Sequence, residues 1–113
     1  MAITSEIIGK LGGRVEVMPV EGTASGSSGT SVVLATIDIP AGEQWLVAAV
    51  GTMTNASSSA SNWARIEMGG AKSALDGPGG FADVATGTVS IRLVRNRAAG
   101  SDSFTGHVYT VKM

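Results

Sequence analysis

The sequence contains no cysteine among its 113 residues. That excludes a disulfide framework and any zinc site built on thiolates. Histidine occurs once, at His107, and there are five aromatic residues in all. Charge is scarce. Asp, Glu, Lys and Arg make up 15% of the chain, against about 25% in an ordinary soluble domain. Eight basic residues stand against nine acidic ones, so no basic surplus draws the chain to nucleic acid or to anionic lipid. Apolar runs such as Trp45–Val50 fall far short of the roughly 20 residues that cross a bilayer. Residues 1–13 lack the basic start and the apolar stretch of a secretory signal, which points to synthesis in the cytoplasm. The length suits one domain with a genuine core.

Small residues are abundant instead. Gly, Ala, Ser and Thr fill 54 of the 113 positions. From Arg14 onward the apolar pattern has a period of two, the signature of half-buried strands. Strands are expected at 14–20, 30–39, 44–54, 63–68, 84–95 and 103–113, with turns or loops between them. Pro40-Ala41-Gly42-Glu43 reads as the turn of a hairpin joining the second and third. Residues 22–30 and 55–62 read as polar loops, and Asn96–Asp102 as a turn. Gly77-Pro78-Gly79-Gly80, within 69–83, reads as irregular backbone. The fold class is therefore all-β: an antiparallel β-sandwich or jelly-roll-like body of six to eight strands over residues 14–113. Trp45 and Trp63, each opening a strand, are expected to fill the core.

Residues 1–13 form a separate feature, a short helix or docking arm. Thr4 or Ser5 can cap a helix over 3–11 in which Ile3, Ile7, Ile8 and Leu11 make one apolar stripe, stopped by Gly12-Gly13. Gly9 weakens it, and so short a helix needs a surface to lie on. That surface is either the domain's own core or a neighbouring subunit.

No arrangement of residues announces chemistry. His107 has no nucleophile motif of the Gly-x-Ser-x-Gly kind to serve. Nor is there a second imidazole or a thiolate to share a transition metal with it. Asp76 and Asp83 stand too far from other carboxylates for a calcium loop. Gly9-Lys10 lacks the remainder of a phosphate loop. Asn55-Ala56-Ser57 matches a glycosylation sequon by chance. Arg92, Arg95 and Arg97 form the one basic cluster, with Arg92 and Arg95 on opposite faces of a regular strand. A solvated strand end is one reading of the cluster and contact with an acidic protein surface the other. No interleaved aromatic makes it a platform for bases. No catalytic, cofactor-binding or metal-binding residue is expected.

Seventeen charged side chains cannot cover the surface of a free 113-residue sandwich, so part of that surface is expected to be buried by an assembly. The last strand agrees, with Phe104 and Val108 on one face and Tyr109, Val111 and Met113 on the other. The opening MAITSEIIGKLGG, then VEVMPV, then TIDIPAGEQWLVAAVGTMTN resemble small structural proteins of tailed bacteriophages, in particular capsid decoration proteins and minor tail proteins. The resemblance implies a non-catalytic virion protein, often a homotrimer, that sits on the major capsid protein and stabilises the shell. In the tail alternative, loops 22–30, 55–62 and 69–83 would recognise a host receptor or glycan. On the decoration reading Ile3, Ile7, Ile8 and Leu11 dock on a neighbour, while Arg92, Arg95 and Arg97 meet acidic groups. A cellular carbohydrate-binding module is a third possibility, thinly supplied with aromatics.

Overall fold

The structure is a computed structural model that describes residues 15–26, 29–54, 63–73, 78–97 and 100–113. Eight strands run β1 Val15–Ser25, β2 Ser31–Asp38, β3 Trp45–Thr54, β4 Trp63–Met68, β5 Ala71–Lys72, β6 Pro78–Ala85, β7 Thr88–Asn96 and β8 Ser101–Lys112. They form two antiparallel four-stranded sheets: sheet A, in the order β1-β8-β3-β6, and sheet B, in the order β2-β7-β4-β5. The pairs β1–β8, β2–β7, β3–β6 and β4–β5 nest inside one another around the β4–β5 turn. The chain is thus a long antiparallel ribbon rolled on itself, with β3 closing on β8 and β4 closing on β7. That is the strand order of a jelly roll. The expected helix or arm over 1–13 lies outside the described residues.

Rolling explains where the local expectations go astray. Pro40–Glu43 is the expected turn, with the Glu43 amide donating to the Pro40 carbonyl at 3.1 Å and Gly42 at φ 82°. It is not a hairpin, because β2 belongs to sheet B and β3 to sheet A. A positive φ at the third turn residue only makes a type II geometry, which splays its flanking strands, and here they part into different sheets. Gly22–Ser25 is not loop but the end of β1, paired with Phe104–Ser101. At Gly22 a Cβ would stand 2.6 Å from the tip of the Leu34 side chain, which would have to shift to admit it. The run Pro78-Gly79-Gly80 is strand rather than irregular backbone. Proline is tolerated as the first residue of the edge strand β6, and Gly80 lets that strand approach the Ala49 carbonyl. The expected strand 84–95 is two strands, divided at Thr86-Gly87, where Gly87 takes φ 69°.

Alternation decides the core. Val20, Ala24, Val47, Ala49, Met53, Phe104 and Val108 point inward from sheet A. Ala35, Ile37, Ala64, Ile66, Met68, Ile91 and Leu93 meet them from sheet B. Trp45 is half-buried against this core and donates its indole N–H to Glu43 at 2.9 Å. Trp63 departs from expectation. It alternates with buried Ala64 and so lies on the outer face of sheet B, where the Arg65 guanidinium stacks 4.2 Å from the ring centroid.

Candidate functional site

The three arginines of the basic cluster separate in the fold. Arg92 is exposed on the outer face of sheet B, in register with Glu67 of β4. Arg95 is fully buried on the inner face, and Arg97 is nearly so. The strand's alternation, which put Arg92 and Arg95 on opposite sides in the sequence, here sends one to water and the other into the core. A solvated strand end is therefore the wrong description for two of the three.

Their acidic partner is in the same chain. Asp102, fully buried near the start of β8, accepts from Arg95 Nε at 2.9 Å and from Arg97 Nε at 3.1 Å on each oxygen. Arg95 also donates to the Gly26 carbonyl through its guanidinium, and its backbone bonds Thr30 and Gly29 at 3.1 and 3.0 Å. Asp102 belongs to sheet A and Arg95 to sheet B, so the ion pair clips the two sheets together at one end of the sandwich. Sequence reading singled out the arginines and missed Asp102. The signal lay in its spacing, on the same alternating series as the buried Phe104 and Val108. The cluster is structural: a buried carboxylate and guanidiniums that satisfy one another.

The outer faces of the two sheets differ in kind. Sheet B presents Arg65, Glu67, Thr36, Ser90, Arg92, Asp38 and Thr88 to solvent. The Thr88 hydroxyl donates to Asp38 at 2.9 Å, and Arg65 Nε meets Glu67 at 3.1 Å. Trp63 and the 44%-exposed Val33, in register with Arg92, lie on the same face, so it mixes charge and hydroxyls with apolar groups.

On sheet A the row across the four strands is Val15–Val111–Leu46–Val84, and the next is Val17–Tyr109–Ala48–Ala82. The following row, Pro19–His107–Val50–Gly80, contains the sheet's first ionisable imidazole. Two complete rows therefore hold no charged or amide side chain. With strands about 4.8 Å apart and residues about 3.4 Å along them, those rows cover about 250 Å². An apolar patch of that order is no larger than those on ordinary monomers. At its edges Val17 is 51% and Val84 44% exposed, while at its centre Val111 and Ala48 are each 1% exposed.

The β1 edge adds to this surface. Glu16, Val17, Met18 and Pro19 are all exposed, although successive residues point to opposite faces. This half of β1 therefore projects past the cover of sheet B, with Val17 and Met18 showing apolar side chains on both sides of one edge strand.

A shallow recess of about 630 Å³ lies between the Pro40–Gln44 turn, Thr86-Gly87 and the C-terminal Lys112-Met113, and it gathers no set of catalytic groups. His107 is an exposed strand residue whose ring centroid lies 6.5 Å from that of Tyr109. Among the described residues no three His, Cys, Asp or Glu side chains gather as metal ligands. Likewise no helix among them is long and apolar enough to cross a membrane. Comparison with known protein families, with curated proteins and with solved structures finds no match for this chain.

Proposed function

We propose that this chain is a non-catalytic assembly protein, and specifically a capsid decoration protein of a tailed bacteriophage. The observation that carries the assembly reading is the projecting half of β1, Glu16–Pro19, exposed on both faces and apolar at three of four positions. Edge strands left open to solvent are normally blunted with charge, because they invite pairing and docking. Here only Glu16 supplies charge, and the apolar rows of sheet A continue from it. The decoration reading rests further on the sequence resemblance to phage structural proteins and on the jelly-roll order, an architecture used by capsid proteins among others.

On this reading the work is mechanical. Each copy buries the β1 corner against the major capsid protein or a sister copy, in a homotrimer on the capsid surface. Simultaneous contacts multiply weak affinities without any reaction. Of the basic cluster, Arg92 is the member placed to meet acidic groups on a partner, since Arg95 and Arg97 are held by Asp102.

The test is compositional and then functional. Particles purified from the lysate of the source organism are expected to carry the chain on their heads in a fixed ratio to the major capsid protein. Purified chain should rebind stripped heads, and the Val17→Glu/Met18→Glu double variant should lose rebinding while melting cooperatively. Recovery of the chain on tails supports the tail alternative. Its absence from purified particles overturns the phage reading.

A further inference from the structure

A homotrimer constrains which surfaces of sister copies can meet. Three copies around one axis share a heterologous contact, in which one patch meets a different patch of the next copy. A two-fold pairing of β1 with β1 is also disfavoured in itself. Pro19 has no N–H to donate, and the charges of β1, Glu16 and Glu21, would bring only acid to acid. The β1 corner therefore needs a different surface, with a base beside an apolar group. The six bases among the described residues leave one place for it. Arg95 and Arg97 are buried on Asp102, Arg65 meets Glu67 at 3.1 Å, and the Lys112 ammonium lies 3.7 Å from Glu43. Arg92 and Lys72 are exposed and form no ion pair with an acid among the described residues. Both stand in the row Val33–Arg92–Glu67–Lys72 across the outer face of sheet B, which begins at the exposed Val33 on the edge strand β2.

We infer that the β1 corner of one copy seats on the Val33–Arg92 end of sheet B in the next, with Glu16 on the Arg92 guanidinium and Met18 on Val33. The inference rests on the homotrimer of the proposed function and gives Arg92 its acid, Glu16 of a sister copy. Charge complementarity is the first argument. Strand β1 carries two acids and no base, whereas β7 carries the exposed Arg92 and no acid. Spacing is the second. Glu16 and Met18, two residues apart, project from the same side of β1 about 6.8 Å from each other. Val33 and Arg92 are cross-strand neighbours about 5 Å apart, and the length of the arginine side chain covers the difference. Both pairs set one apolar group beside one charge, and the charges are opposite. A single copy does not satisfy the pair itself, since Glu16 stands on an edge of sheet A and Arg92 on the outer face of sheet B. Each copy in the ring gives one corner and receives one, so closure leaves neither patch exposed.

Charge reversal and its rescue test the contact. Glu16→Arg, Arg92→Glu and the variant carrying both are compared with the natural full chain by light scattering over a range of concentrations, and cooperative melting checks each fold. Each single reversal is expected to raise the dissociation constant by about tenfold or more, because it sets like charge against like. The double reversal restores opposite charges across the contact and is expected to return the constant to within about threefold of the natural value. Where Arg92→Glu, which sets acid beside Glu67, does not melt cooperatively, Glu16→Gln and Arg92→Gln replace the reversals. The variant with both glutamines is then no weaker than either alone. A trimer indifferent to Arg92→Glu, or reversals that do not rescue one another, overturns the inference and leaves the homotrimer standing. Rescue in an assembly that grows past three copies supports the contact and contradicts the homotrimer. A natural chain that stays single at every concentration contradicts both.

Discussion

Asp102 shows how much one side chain can decide. It is the only carboxylate buried among the described residues, and both Arg95 and Arg97 are oriented on it. Removing one partner of such a group leaves charge in the core without its counterion, a change that typically costs about 3–5 kcal/mol. Asp102→Ala is therefore expected to lower unfolding free energy by about that amount in urea titration. Lys112→Ala, which removes the exposed 3.7 Å contact with Glu43, should cost less than about 1 kcal/mol. At Gly51 and Gly106, paired across β3 and β8, a Cβ would stand 2.3 Å from the Thr105 carbonyl and 2.2 Å from the Val50 carbonyl, and 2.6 and 2.9 Å from the Phe104 ring. The ring fills the space that these glycines leave. Gly51→Ala is expected to destabilise by about 1–3 kcal/mol, as overpacking does, measured in the same titration.

Among the elements, some were plain from the chain and others were not. Trp63–Met68 is the strand its alternation announces, and the Pro40–Glu43 turn stands where the proline and glycine put it. What local pattern could not convey is pairing. Neighbouring strands in the chain go to opposite sheets at nearly every step, and β1 finds its partner at the far end of the molecule in β8. Alternation names the face of each strand but not its neighbour. The glycines misled for a related reason. At Gly80 the residue marks close approach of two strands, whereas at Gly87 it marks a turn, and only the partner tells the two apart. For the candidate site, the excess of apolar residues on the last strand was legible, but the burial of Arg95 and Arg97 depended on a carboxylate seven and five residues away. Such a ribbon must close long loops before its strands pair. Refolding by stopped flow is accordingly expected on the millisecond-to-second scale, the range of all-β domains with distant pairings. A microsecond phase carrying the full amplitude would be inconsistent with this order of assembly.

Over the whole molecule, the outer faces differ: sheet B mixes charge and hydroxyls with Trp63 and Val33, and sheet A is apolar from β1 to β6 across two rows. On the proposed reading, what the chain offers to a partner is the projecting half of β1. The proposed homotrimer depends on self-association through the β1 corner. The most direct measurement is the solution mass by light scattering behind a sizing column, for the natural chain and for the Val17→Glu/Met18→Glu variant. The account predicts three times the mass of one chain for the former and a folded single chain for the latter. A natural chain that elutes as a single copy, or an oligomer untouched by the two glutamates, would contradict it.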